Sequence, residues 1–416
     1  MGHRKTGTKI LKLFVQSPQT YRWLRPLIGL VSLRDDNIPY KVWVHFLLEL
    51  NRQAYARRRP VIWMNSFAPV EIAYGLGAIP YMPEITAALV AYLGKSRDFI
   101  ALADSHISTD VCSFYRCALG LALAGYLPRP DLIISSSHLC DGTNKFFHYV
   151  GQLYGCPHLM LDPPYSNGAN ARRYLIRQLE DLFSTTADIL VIHQDGARLA
   201  NALRLANQAH GYMAEINRLR LSRPSPLPGS EGLSYLAGMN FYSVGSPWGV
   251  RFFSSLYRYL REKVANREGY LPGERYRLLW LHHIRPYYPN EIFQTLTQHG
   301  VAVSFEEPNH LYWPPFDPSQ PWESLADKIL SNVWAGPLER RIQAIWEMVE
   351  DYHIDGVIHF SHWGCRQSCG GEAVIGDWLK DRGIPYIILP GDGADPDNYS
   401  PGQTRTRVEA LVEMLR

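Results

Sequence analysis

The chain has 416 residues, 46% hydrophobic and 19% charged, the composition of a folded globular protein long enough for more than one domain. A formal net charge of +3 is small for this length and gives no basis for nucleic-acid binding. Six unevenly spaced cysteines exclude a secreted disulfide framework, so a reducing cytoplasm is the expected location.

Residues 1–58 read as an N-terminal helical segment. The opening MGHRKTGTKILKLFVQSPQTYRWLRPLIGL is basic and partly apolar, but it has no continuous apolar run and no small-residue cleavage site. Neither secretion nor a membrane span is therefore expected, and an amphipathic helix packed on the body is expected instead. A second helix, VWVHFLLELNRQAYARRR, ends in a basic run before Pro60.

Residues 59–169 read as a first α/β domain. A strand over 61–64 leads to a short helix from Pro69 and an extended stretch at 79–82; DFIALA (98–103), DLIISSS (131–137) and PHLMLDPP (157–164) read as buried strands. The helices between them are ITAALVAYLG, FYRCALGLALAGY and TNKFFHYVGQLYG. Residues 170–270 read as helical, broken by the Pro/Gly/Ser-rich RPSPLPGSEG at 223–232. Residues 271–416 return to alternation, with strands at 276–284, 301–307, 356–361 and 385–392. Such alternation implies parallel sheets covered on both faces. The expected fold is α/β: two doubly wound parallel-sheet domains facing a cleft, with helical additions.

Cysteines mark the loops of that cleft. In VIHFSHWGCRQSCGG, Cys365 leaves an apolar strand through a glycine turn; Cys140 follows strand 131–137, and Cys112 follows strand 98–103. Ligands of open α/β sheets bind beyond the carboxyl ends of strands, so three such loops from two domains can converge on one crevice. Three thiolates suit a [4Fe–4S] cluster with one iron open to a non-protein ligand, or zinc with an open position. The spacings CxxxxC at 112 and 117 and CxxxC at 365 and 369 match no common structural zinc site. Cys117 and Cys156 read as structural, and Cys369 stays open as an alternative to Cys365.

The segments SFAPVEIAYGLGAIPYMPE, DVCSFYRCALG, CDGTNKFF, HWGCRQSCGG and GIPYIILPGDGADPDNYSPGQTRTRVEALVEML run in this order over roughly residues 60–416. Together they resemble the 2-hydroxyacyl-CoA dehydratase D-component family, which includes benzoyl-CoA reductase subunits and double-cubane cluster reductases. The resemblance implies two flavodoxin-like domains and an iron–sulfur cluster on Cys112, Cys140 and Cys365, either [4Fe–4S] or, as in the double-cubane members, [8Fe–9S]. It also implies a lyase that eliminates water from an acyl-CoA thioester through a ketyl radical, after a separate ATP-dependent iron–sulfur activator supplies one electron. The implied partner is a related second subunit or a second copy of the chain. A reductase is the first alternative, and a non-catalytic cluster-binding or zinc-stabilised interaction protein the second. By the same resemblance SFAPVE lies near the cluster, making Ser66 and Glu71 catalytic candidates for holding a carbonyl or moving a proton. Glu71 also stands where a helix dipole alone favours a carboxylate, and Glu84 and His138 are similar, weaker cases. His362 can donate a hydrogen bond to a cluster sulfur or simply pack. Asp392 and Asp395 follow a strand in an Asp/Gly turn, and the His282–His283 pair ends another without a third zinc ligand. No GxGxxG or GxxxxGKS/T loop is present, so this chain is not expected to bind ATP or NAD through one.

Overall fold

Short apolar runs bounded by glycine, proline and asparagine form eight strands in the computed structural model, which describes residues 12–31 and 37–416. Strands β1 (Val61–Met64), β2 (Ile79–Tyr81), β3 (Leu132–Ser136) and β4 (His158–Leu161) form one parallel sheet in the order β2-β1-β3-β4. Strands β5 (Tyr276–Leu281), β6 (Val301–Glu306), β7 (Gly356–His362) and β8 (Tyr386–Gly391) form a second in the order β6-β5-β7-β8. Every pairing is parallel, and the two sheets share one topology. The α/β class read from the sequence is therefore the observed one. Every residue of β1, β3 and β7 is buried, as strands covered on both faces require.

Two expectations fail. β4, read as a buried strand, buries only Leu161 and exposes Met160, because it lies at the edge of its sheet. Residues 98–103 belong to the helix Ser96–Ala103, not to a strand. Ser96, Ile100 and Ala103 are buried while Leu102 is exposed, a spacing of three to four residues that only a helix turns to one side. A six-residue apolar run carries both periods, and packing decides between them. The first sheet takes Ile79–Tyr81 as an edge strand instead, where Pro80 removes no needed hydrogen-bond donor.

Of the opening segment, residues 1–11 and 32–36 lie outside the described residues; Pro18–Val31 and Ile38–Ala56 are helices. The second starts where the Asn37 side chain accepts from the Tyr40 N–H, with Pro39 in the first turn, and buries Val42, Phe46, Leu50 and Ala54 at four-residue spacing. Long helices Ala169–Leu190, Gly196–Leu219 and Pro247–Ala265 separate the two sheets in sequence. Apolar residues of both sheets share one core, to which β7 contributes Ile358 and Phe360, while Val357 faces a separate cluster with Ile375 and Leu379.

The halves are joined at the start of the helix Ser113–Leu123. The Ser113 hydroxyl donates to Asp392 Oδ1, Ser96 Oγ donates to the Ala394 carbonyl at 2.6 Å, and Arg116 pairs with Asp104 at 2.7 Å and Asp395 at 3.4 Å. Gly364 closes the joint from β7. Its φ is +75°, and a Cβ there would stand 2.7 Å from the Asp110 carbonyl oxygen and 2.8 Å from the Cys112 nitrogen. Gly364→Ala is thus expected to lose about 1–3 kcal/mol of stability, read as a lower melting temperature; a variant melting with the wild type would show that this contact yields freely.

Candidate active site

In each sheet the chain leaves the first strand to one side and returns on the other, so loops diverge at the carboxyl ends of β1 and β3 and again at those of β5 and β7. Such points are where open α/β sheets bind ligands. Here the two face each other across a cavity of about 410 Å³, within the range of small-molecule sites. Ser66 and Phe67 enter from the β1 loop, Leu139 and Cys140 from the β3 loop, His283, Ile284 and Arg285 from the β5 loop, and Cys365 from the β7 loop. The remaining wall is mostly apolar and aromatic, including Tyr40, Trp43, Phe114, Tyr235, Phe241 and Tyr287.

Cys112, Cys140 and Cys365 all line this cavity, and each is the residue that caps a helix N-terminus. Cys140 and Cys365 follow strands, as read. Cys112 does not, because the segment before it is helical; it is brought in by the helix it caps, docked against the second half. Helix N-termini favour thiolates, but burial dominates here. It pushes the Cys112 thiol well above its ordinary range, with Cys140 and Cys365 adding repulsion, raises Cys140, and pushes Cys365 up to about 12. Thiols so placed stay protonated until a cation compensates them. Among the described residues no three His, Cys, Asp or Glu side chains stand close enough to share one metal ion.

Two buried histidines touch these sulfurs. The Gly393 N–H donates to His362 Nδ1 at 3.1 Å, which leaves the ring proton on Nε2, 3.2 Å from Cys112 Sγ. His362 thus serves Cys112 of the opposite half, not its neighbour Cys365. His282 Nε2 lies 3.6 Å from Cys365 Sγ. His282 has a φ of +73°, costly for a residue with a Cβ, and its backbone is held there by Glu307 Oε2, which accepts its N–H at 2.7 Å. Glu307 also accepts from Arg341 at 2.7 and 2.8 Å and from Trp334 at 2.6 Å. Burial pushes its carboxyl up, but Arg341 and these donors hold it down at about 2.

The other candidates divide. Cys117 is buried inside its helix, Cys156 is half-buried ahead of β4, and the exposed Cys369 contacts the His362 carbonyl at 3.3 Å; none of them lines the cavity. Glu71 is fully buried and accepts from Lys328 Nζ at 2.6 Å, so the structure does not bring it to the cysteines. Ser66 lines both the large cavity and a neighbouring one of about 50 Å³ that holds His138 and Lys328. Its N–H and hydroxyl donate to Glu84 Oε1 at 2.7 and 2.9 Å. Glu84 Oε2 is buried without a partner, and burial pushes this carboxyl up to about 7 against the opposing bonds from Ser66. The pairing of Ser66 with Glu84 had a signal in the sequence: both directly follow β1 and β2, and adjacent parallel strands set their exit loops side by side. The cavity role of Arg285 and of Tyr40 and Trp43 had none.

The sequence model of the family described as 2-hydroxyglutaryl-CoA dehydratase, D-component, matches residues 65–415. The chain belongs to this family. It is 22% identical to the (R)-phenyllactyl-CoA dehydratase alpha subunit of Clostridium sporogenes over 92% of this chain and 98% of that one. It is 24% identical to a benzoyl-CoA reductase subunit of Thauera aromatica over 74% and 77%, and 22% identical to the alpha subunit of the lactoyl-CoA dehydratase of Anaerotignum propionicum over 88% and 92%. The matched span of this D-component chain contains the loops of both switch points and all three cavity cysteines. No helix among the described residues is long and apolar enough to cross a membrane.

A carboxyl whose folded pKa, about 7, exceeds its ordinary value of 4.5 stabilises the fold while protonated and loses that contribution as pH rises through 7. Wild-type protein is therefore expected to lose stability between about pH 4.5 and pH 7 relative to Glu84→Gln; parallel melting curves of the two against pH would contradict this state of Glu84.

Proposed function

We propose that this chain is the iron–sulfur subunit of a 2-hydroxyacyl-CoA dehydratase-like lyase, a cytoplasmic enzyme working with a related subunit or a second copy. The reading includes an ATP-dependent activator that supplies one electron and a ketyl-radical route for the acyl-CoA substrate. The observation that carries it is the placement of Cys112, Cys140 and Cys365 on one cavity between two switch points. Their donor chemistry suits a cluster: three buried thiols that repel one another as anions are neutralised by bound iron. Cys112, Cys140 and Cys365 are the residues that would hold it. Such a cluster would bring one-electron transfer and an open iron as Lewis acid to a thioester oxygen.

The chain's own residues supply the rest. Phe67, Phe114, Phe241 and Tyr287 give the cavity an apolar wall. His362 Nε2–H steadies the Cys112 sulfur from the opposite half. Ser66 fixes one oxygen of Glu84, leaving Oε2 to hold or move a proton, with a pKa of about 7 that suits either direction near neutrality. His283, its pKa pushed down to about 3 by burial, stays neutral and offers a hydrogen bond without adding charge. A reductase acting on an acyl-CoA is the second reading, favoured by the similarity to the benzoyl-CoA reductase subunit.

Anaerobic purification followed by iron analysis and absorption spectroscopy tests the assignment. About four irons per chain are expected. Cys112→Ala, Cys140→Ala and Cys365→Ala should each lose the visible absorption, whereas Cys117→Ala, Cys156→Ala and Cys369→Ala should keep it. Iron retained by one of the first three removes that residue from the set. A loaded protein that turns over no acyl-CoA thioester with its activator and partner would be a cluster-carrying interaction protein instead.

A further inference from the structure

Arg285 is the only arginine or lysine among the described residues lining the 410 Å³ cavity. Its two terminal nitrogens are held by neutral groups: one donates to Ser234 Oγ at 2.8 Å and the other to the Pro286 carbonyl at 3.1 Å. Ser234 in turn donates to the Ser230 carbonyl, which fixes the acceptor. Nε is buried with no partner. The plane lies over the Tyr287 ring at 4.8 Å and near Phe293 at 5.8 Å. No carboxylate among the described residues pairs with it; of the two acids on the cavity wall, Glu84 is bonded to Ser66 and Glu231 to Tyr235. Burial lowers its pKa from the ordinary value, the sign of a cation that has lost water without gaining an anion. Elsewhere in this protein buried guanidinium groups do have partners, as Arg341 has Glu307 and Arg220 has Glu306.

A half-buried cation with an occluded Nε and no counter-ion is costly unless something else brings the charge. We propose that Arg285 is the anion-recognition residue of the cavity, taking an anionic oxygen group of the bound thioester. Two parts of such a ligand can carry it: a carboxylate at the far end of the acyl chain, or a phosphate of the carrier. Either would take the second N–H of a terminal nitrogen, since Nη1 and Nη2 each donate only one of their two in the bonds to Pro286 and Ser234, and the aromatic faces keep the guanidinium plane in place. The inference rests on the thioester reading of this cavity and adds the residue that selects among thioesters.

The test is calorimetric titration of the full-length, anaerobically prepared protein with four probes: butyryl-CoA, glutaryl-CoA, S-butyryl-pantetheine and S-glutaryl-pantetheine. They combine presence and absence of phosphates with presence and absence of a distal carboxylate. Arg285→Met is expected to weaken the probes carrying the recognised anion on the order of 30-fold or more, as removal of one partner of a buried charge pair does, and to leave the others unchanged. A loss confined to the two CoA probes assigns the phosphate; a loss confined to the two glutaryl probes assigns the carboxylate. Arg285→Lys, which keeps the charge without the fork, should fall between, and it carries the comparison if Arg285→Met does not fold. Equal binding of every probe by wild type and variants overturns the proposal. If wild type binds no thioester, that reading of the cavity falls, and glutarate and pyrophosphate decide on Arg285 alone: an affinity lost in the variants sustains the anion site, and none in the wild type ends it.

Discussion

Asp392 holds the two halves of the molecule in register. Its carboxylate accepts from the Ser113 hydroxyl in one half and from the Ala394 and Asp395 N–H groups, at 2.9 and 3.0 Å, in its own loop. Its backbone carbonyl accepts from the Tyr288 hydroxyl at 2.8 Å. One residue, through its side chain and its backbone carbonyl, thereby sets the start of the Ser113–Leu123 helix, the loop after β8 and the loop after β5 relative to each other. Cys112 caps that helix, so its sulfur reaches the cavity only while this contact and the close approach of Gly364 persist. A cavity at the carboxyl ends of two separate sheets depends on their docking, and here few residues carry the docking at the cysteines.

Around the cavity charge is arranged in an apolar setting. Glu307 with Arg341, Glu306 with Arg220, and Glu71 with Lys328 are buried ion pairs, and removing one partner of such a pair leaves a stranded charge at a cost of about 3–5 kcal/mol. Of these, the Glu307 pair fixes the backbone of His282, next to His283 on the cavity wall. Several groups on the cavity wall, by contrast, lack an ion-pair partner: three thiols held protonated by burial, a neutral His283, a Glu84 poised near neutrality and Arg285. That contrast separates residues that hold the protein together from residues available to a ligand.

The sequence reveals those strands whose apolar runs end in turn residues: β1, β3, β5 and β7 are legible, and with them the loops bearing Ser66, Cys140, the His282–His283 pair and Cys365. DFIALA misleads because six apolar-rich residues satisfy both periods, and the face that Ile100 and Ala103 bury exists only once the next helix is in place. Glu71 and Glu84 look alike in sequence, each an acid in the first turn of a helix, and only the fold hands Lys328 to one and Ser66 to the other. His362 shows the same limit, since its ring proton goes to a cysteine 250 positions away. Long-range pairing leaves no local mark on composition or spacing.

Tyr40 and Trp43 stand on the cavity wall, yet the helix Ile38–Ala56 that carries them precedes the span matched by the family, which begins at residue 65. That helix packs through Phe46 against Tyr242 and Trp248 rather than through the cysteine loops. The cavity wall is thus held at two places, at the cysteine loops and at this helix. A change of side chain at Tyr40 or Trp43 therefore redraws the cavity's outline without touching Asp392, Gly364 or the three cysteines.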